Sequence, residues 1–116
     1  MQSPKIESYR FGRIQIDGKS YSNDVIIFPD HVMGDWWRDE GHVLHPADLK
    51  NVFNANVDVL IVGQGAHGRM RVTKATREKV QAAGIKLIVK NTNEAVEAYN
   101  AVRDEKNVAA ALHLTC

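Results

Sequence analysis

Three short apolar runs in the second half of the chain constrain the fold more than any other feature: VDVLIV (residues 57–62), IKLIVK (85–90) and VAAALHL (108–114). They show little polar alternation, as strands do when both faces of their sheet are covered, so Val59, Ile61, Leu87, Val89, Ala110 and Leu112 are expected to be deeply buried in one sheet. Helix-length segments separate them. Thr73 is placed to cap KATREKVQAA, and Gly84 to end it in a left-handed conformation. Asn91 and Glu94 make a capping-box-like pair before AVEAYNAVRDE, whose Ala95, Val96, Tyr99 and Val102 share one face. Strand, helix, strand, helix, strand predicts right-handed crossovers and a mainly parallel sheet with helices packed on it. Upstream, LHPADLKNVF reads as a helix start. Pro46 suits the first helical position, Asp48 the positive end, and Leu44 can staple against Leu49. Leu49, Val52 and Phe53 then face the core together.

The first third reads as strands. KIESYRFG and RIQIDGKSYS are rich in β-favouring residues, and Asp17-Gly18 is a strong two-residue hairpin signal. DVIIF (24–28) is a short strand that Pro29 stops. From Pro29 to Val43 no clean period appears, so this stretch is expected to be a long loop or ragged edge. Trp36 and Trp37 sit in it among charges. One indole is expected to cap the core and the other to lie on the surface, where tryptophan is a residue type that anchors interfaces.

The run into VGQGAHGRM contains a literal G-x-G-x-x-G at Gly63, Gly65 and Gly68. In a dinucleotide-binding fold that loop feeds directly into a helix, whose N-terminus takes the pyrophosphate, and the next strand ends near an acidic residue for the ribose. Here Arg69, Met70, Arg71 and Val72 intervene before Thr73, and the next strand ends in Lys90 and Asn91. A nicotinamide cofactor is not expected. A narrower expectation remains: the loop leaves a strand's carboxyl end and forms one wall of a pocket. Gly63 and Gly65 would line it, His67 and Arg69 would help bare N–H groups to hold an anion, and the helix start at Asn91 would open nearby.

Other constellations carry less. His113 and Cys116 could form an imidazole–thiolate pair. Three positions apart on a strand they fall on opposite faces, and an adjacent carboxylate disfavours the thiolate, so no catalytic role is assigned. His42 and His45 have no further ligands at recognisable spacing, so no metal is expected, and His45 more simply precedes the helix at Pro46. The net charge of +1 lacks the clustered cations that nucleic acid requires. No run approaches the roughly 20 apolar residues of a membrane span, and MQSPKIESYRFG shows no export signal. A single cysteine suits a reducing compartment. The expectation is one domain over residues 1–116, cytoplasmic, without cofactor and of unspecified oligomeric state.

These landmarks carry a family resemblance. YRFGRIQIDGKSYSNDV, the WWRDEGH loop, HPADL, VDVLIVGQG, GIKLIVKNT, EAYN and the closing HLTC follow in order over nearly the whole chain. The chain resembles the small α/β domain of the adipogenesis-associated domain proteins, of many uncharacterised prokaryotic proteins and of the mitochondrial complex I assembly factors. That resemblance implies a three-layer α/β fold: a mixed central sheet, flanking helices and an N-terminal β-hairpin or hammerhead-like part. It implies no reaction. The leading functional expectation is a non-enzymatic binding or assembly-factor-like module, with Trp36 and Trp37 meeting a protein partner. The alternative is a small-molecule or anion-binding protein, with enzymatic action left open, using Gly63, Gly65, His67, Arg69 and Asn91.

Overall fold

The computed structural model describes residues 3–116; Met1 and Gln2, part of the start read above for an export signal, lie outside them. The chain opens with strands β1 (Ile6–Arg10), β2 (Arg13–Ile16) and β3 (Lys19–Tyr21), which form an antiparallel sheet in that order. The turn between β2 and β3 is Asp17-Gly18, with φ of 49° and 80°. Two successive positive φ values match the right-handed twist of the flanking strands, which explains the Asp-Gly pair. Ile6, Ile14 and Ile16 point from this sheet into the core.

The second sheet has five strands: β4 (Val25–Ile27), β5 (Val32–Met33), β7 (Val59–Gln64), β9 (Lys86–Lys90) and β10 (Val108–His113). Their order is β5-β4-β10-β7-β9. β10, β7 and β9 run parallel, while β4 joins β10 and β5 joins β4 antiparallel, so the sheet is mixed. Strand β5 lies inside the stretch that lacked a period, as a ragged two-residue edge. A small parallel pair links β6 (Val43–Leu44) to β8 (Arg71–Val72). Two of the four residues that separate the glycine loop from its helix, Arg71 and Val72, are therefore themselves a strand.

Helix α2 (Lys74–Ala82) connects β7 to β9, and α3 (Thr92–Val102) connects β9 to β10. Thr73 Oγ1 accepts the Thr76 N–H at 3.1 Å, and Gly84 follows the helix end at φ 76°. Pro46–Leu49 form a 3₁₀ turn that runs into the short helix α1 (Lys50–Phe53). On one face of the central sheet, Trp36, Leu44, Leu49, Val52 and Val80 pack over Ile26, Leu60, Val62, Ala109 and Ala111. On the other face, Ala95 and Tyr99 of α3 and the isoleucines of the first sheet pack over Val25, Ile27, Ile61, Ala110 and Leu112. Three layers result.

Two local expectations are corrected. Leu87 and Val89 are half-buried, not deeply buried, because β9 is an edge strand of the sheet. Asn91 stands at the cap position before α3, yet its side chain makes no capping bond.

Candidate functional site

The connections place a crevice. From β7 the chain crosses to β9 on one side through α2, and α3 then returns it to β10 on the other side of β7. The two helices lie on opposite faces, Val80 of α2 on one and Tyr99 of α3 on the other. The carboxyl ends of β7 and β10 are therefore the switch point at which open α/β sheets bind ligands. The glycine loop starts there. So does the chain beyond His113.

Several backbone donors of that loop are engaged within the protein. Gly65 N–H donates to Thr92 Oγ1 at 2.8 Å. Ala66 N–H donates to the Thr115 carbonyl at 2.7 Å, and Arg69 N–H to the Cys116 carbonyl at 3.0 Å. The Gly65 carbonyl accepts Thr92 N–H at 3.1 Å, and Thr92 Oγ1 donates to the His113 carbonyl at 2.6 Å. The crevice is filled by residues 115 and 116, stitched to the loop and to the first residue of α3. Two of the N–H groups expected to be bare, those of Ala66 and Arg69, thus donate to the protein's own carbonyls.

This packing explains each glycine. A Cβ on Gly63 would lie 2.8 Å from Thr92 Oγ1 and 2.9 Å from Leu112 Cδ2. On Gly65 (φ +101°) it would lie 2.6 Å from the Cys116 carbonyl oxygen and 2.7 Å from that of Thr115. On Gly68 (φ +70°) it would meet only the Asn91 amide, at 2.5 Å from Oδ1. The structure thus brings Gly63, Gly65 and Asn91 into one neighbourhood, as segments packed on each other. His67 and Arg69 expose their side chains at its margin. The His67 ring lies 6.2 Å from that of Phe11, whose turn docks through Gly12 N–H on the Leu114 carbonyl at 2.8 Å.

The tryptophan pair divides. Trp36 is 3% exposed, packs in the core and donates its indole N–H to the Asp48 carbonyl at 3.0 Å. As a partner-binding residue it is corrected: its surface is inside. Trp37 is 71% exposed. It borders a shallow groove with Met33, Asp35, Trp36, Asp39 and Lys50. His45 Nε2 lies 2.9 Å from Glu40, while the His42 ring meets His113 edge-on at 5.7 Å between centroids. The two histidines thus serve different neighbours.

A second cluster lies at the same end of the sheet. The β4–β10 register pairs Val25 with Leu112, so the next positions, Asp24 and His113, face each other. Asp24 Oδ2 lies 2.7 Å from His113 Nδ1 and accepts from Arg38 Nη2 at 2.8 Å; Asp24 Oδ1 accepts Leu114 N–H at 2.8 Å. Arg38 also donates Nε and Nη2 to the Gly41 carbonyl and stacks 4.6 Å above the Trp36 ring. Burial pushes the Asp24 carboxyl up, but the hydrogen bonds from His113, Leu114 and Arg38 outweigh it and hold the group below its ordinary value. This cluster ties β4, β10 and the tryptophan loop together. Sequence reading passed over Asp24, Arg38 and Thr92, and considered His113 only beside Cys116. Only the pairing of β4 with β10 across the chain reveals the set.

Fold and site together define a small three-layer α/β domain whose sheet crevice is closed by its own chain. The chain belongs to the family described as a protein of unknown function (DUF498/DUF598), whose model matches residues 6–113. It is 29% identical to the conserved hypothetical protein PH1505 from Pyrococcus horikoshii OT3, covering 97% of this chain and 99% of that one at a TM-score of 0.84. The Rpa2829 protein from Rhodopseudomonas palustris is 28% identical, with 97% and 87% covered and a TM-score of 0.77. A protein from Bartonella henselae described as an outer membrane protein is 22% identical, with 99% and 98% covered and a TM-score of 0.83, a likeness of fold alone. Among the described residues no helix is long and apolar enough to cross a membrane.

Proposed function

We propose that this domain is a protein-binding module whose tryptophan loop presents Trp37 to a basic segment of a partner. The observation that carries the reading is the contrast within one dipeptide. Trp36 is locked into the core and clamped under Arg38, while its neighbour is left 71% exposed on the backbone so fixed. A large aromatic held on an ordered loop loses little conformational freedom on binding and makes an effective anchor. The surrounding charge favours cations. Asp35 and Asp39 border the groove beside Trp37, with Lys50 as its cation, and a Lys or Arg of the partner can lie over the indole face while pairing with these carboxylates. The resemblance to complex I assembly factors, carried by the landmarks quoted above, supports a binding role over a catalytic one.

The test is titration of the intact protein with fluorescein-labelled Lys/Arg-rich peptides and with Asp/Glu-rich peptides of matched length. Basic peptides should quench Trp37 fluorescence saturably, more weakly as salt is raised. Trp37→Ala should abolish binding without lowering the thermal midpoint. Equal binding of both peptide classes, or basic-peptide binding that survives Trp37→Ala, overturns the proposal.

A further inference from the structure

Strand β9 is an edge of the central sheet, and among the described residues β7 is its only strand neighbour. Lys86 N–H donates to the Asp58 carbonyl, and the parallel register continues to Lys90 beside Gly63. Backbone direction alternates along a strand, so Lys86, Ile88 and Lys90 aim their N–H and C=O groups at β7. Leu87 and Val89 aim theirs outward, a short template for another strand. A cavity of about 150 Å³ adjoins this edge on the α3 face. Val59, Ile88 and Val108 from three adjacent strands and Val102 from the end of α3 give it apolar walls. The exposed Lys86, Glu105 and Lys106 complete it. Its size is that of a cavity that holds benzene, and so suits one leucine-sized side chain.

We propose that the β9 edge takes up an extended segment of an acidic protein partner as a further strand, with one apolar side chain of that segment entering the cavity. Register specifies the segment. A residue set opposite Ile88 points its side chain to the same face as Ile88, where the cavity lies. The residues two positions to either side come opposite Lys86 and Lys90 on that face, and a carboxylate at each makes an opposite-charge cross-strand pair. The segment therefore reads acidic, any, apolar, any, acidic. Lys106 adds a cation at the cavity, against Glu105 as the one carboxylate among its walls. A second copy of this chain does not fit. Pairing β9 antiparallel with β9 about Ile88 sets Lys86 of each copy directly opposite Lys90 of the other, a like-charge contact of the kind that protects edges. The surface is separate from the tryptophan groove, which includes Met33 of β5 at the other edge of the sheet. The domain thus offers one edge to basic segments and the opposite edge to acidic ones.

The test is titration of the ¹⁵N-labelled intact protein with the capped peptide Glu-Val-Leu-Val-Glu, with Lys-Val-Leu-Val-Lys as the control. The acidic peptide should shift the Leu87 and Val89 amides saturably, slow their exchange and move the Val59 and Val108 methyls. Glycine in place of the central leucine should weaken binding about tenfold, as expected when one apolar side chain is no longer buried. Lys86→Glu with Lys90→Glu alters only exposed side chains. Read at the same two amides, it should turn the preference to the lysine peptide by about fivefold or more. Trp37→Ala should leave the affinity for the acidic peptide unchanged, which separates this surface from the tryptophan groove. Equal shifts of the Leu87 and Val89 amides with both peptides, or acidic-peptide affinity that survives loss of the leucine side chain, overturns the proposal. So does a free protein that sediments as a dimer with both amides already protected, because a second copy then holds the edge.

Discussion

Replacing Gly65 with alanine perturbs the crevice at its tightest point. Its φ of +101° lies where a side chain is strained, at about 1–3 kcal/mol. The added methyl would press on the Thr115 and Cys116 carbonyls at 2.7 and 2.6 Å, and backbone does not yield as a side-chain tip does. Forcing such a contact costs roughly 1–3 kcal/mol. Displacing residues 115 and 116 also weakens the bonds from Ala66 and Arg69 N–H, each worth about 1 kcal/mol. These effects overlap, and about 3–5 kcal/mol is expected in total, a large part of the roughly 5–15 kcal/mol that holds a domain folded. At about 4 °C per kcal/mol for a domain of this size, the midpoint should fall by about 12–20 °C. Gly68→Ala is the internal control. It has a positive φ too, but its methyl meets only the tip of the exposed Asn91 side chain. It should cost about 1 kcal/mol. Urea and thermal unfolding of both variants measure the difference. Equal losses for the two, or a Gly65→Ala midpoint within about 3 °C of wild type, would refute the reasoning.

Three further outcomes follow from the same geometry. Trp36→Ala should lose about 3–5 kcal/mol, as a buried tryptophan does, while Trp37→Ala stays within about 0.5 kcal/mol; urea midpoints distinguish them. Thr92→Val removes the acceptor of Gly65 N–H and the donor to the His113 carbonyl, and should cost about 2–3 kcal/mol, with faster amide exchange at Gly65. Asp24 titrates below its ordinary value in the folded protein, so the stability it contributes is present above the unfolded value near about pH 4 and drains as pH falls through the folded one. The stability gap between wild type and Asp24→Asn should therefore close as pH falls below about 4. A gap that stays constant to the acid-unfolding limit would contradict the assigned interactions.

What could be read from the sequence is local. The buried strands, the Thr73 cap, the Gly84 stop and the Asp17-Gly18 hairpin each depend on residues within one element or turn. Burial of Leu87 and Val89 was overestimated because an edge strand and a central one can share an apolar pattern, and strand order is not a local property. The glycine loop does leave the carboxyl end of a buried strand, β7, but what packs against it could not be read. The acceptors for Ala66 and Arg69 are residues 115 and 116, about fifty positions away and marked by no periodicity. The same holds for Asp24, which meets His113 only because β4 pairs with β10 across 89 positions. Asn91 and Glu94 have the composition of a capping box, yet Asn91 makes no side-chain cap. Thr92 takes the decisive contacts, one residue further on.

The central claim is that the glycine loop seats the protein's own chain and leaves recognition to the tryptophan loop. It is tested most directly by following the Ala66 and Arg69 amides in ¹H–¹⁵N spectra during titration with inorganic phosphate and with a nucleotide. Both N–H groups should be protected from exchange and should move no more than with chloride at equal ionic strength. Saturable shifts of both amides with phosphate, together with loss of their exchange protection, would mean that residues 115 and 116 give way to an anion and that the loop is a ligand site after all.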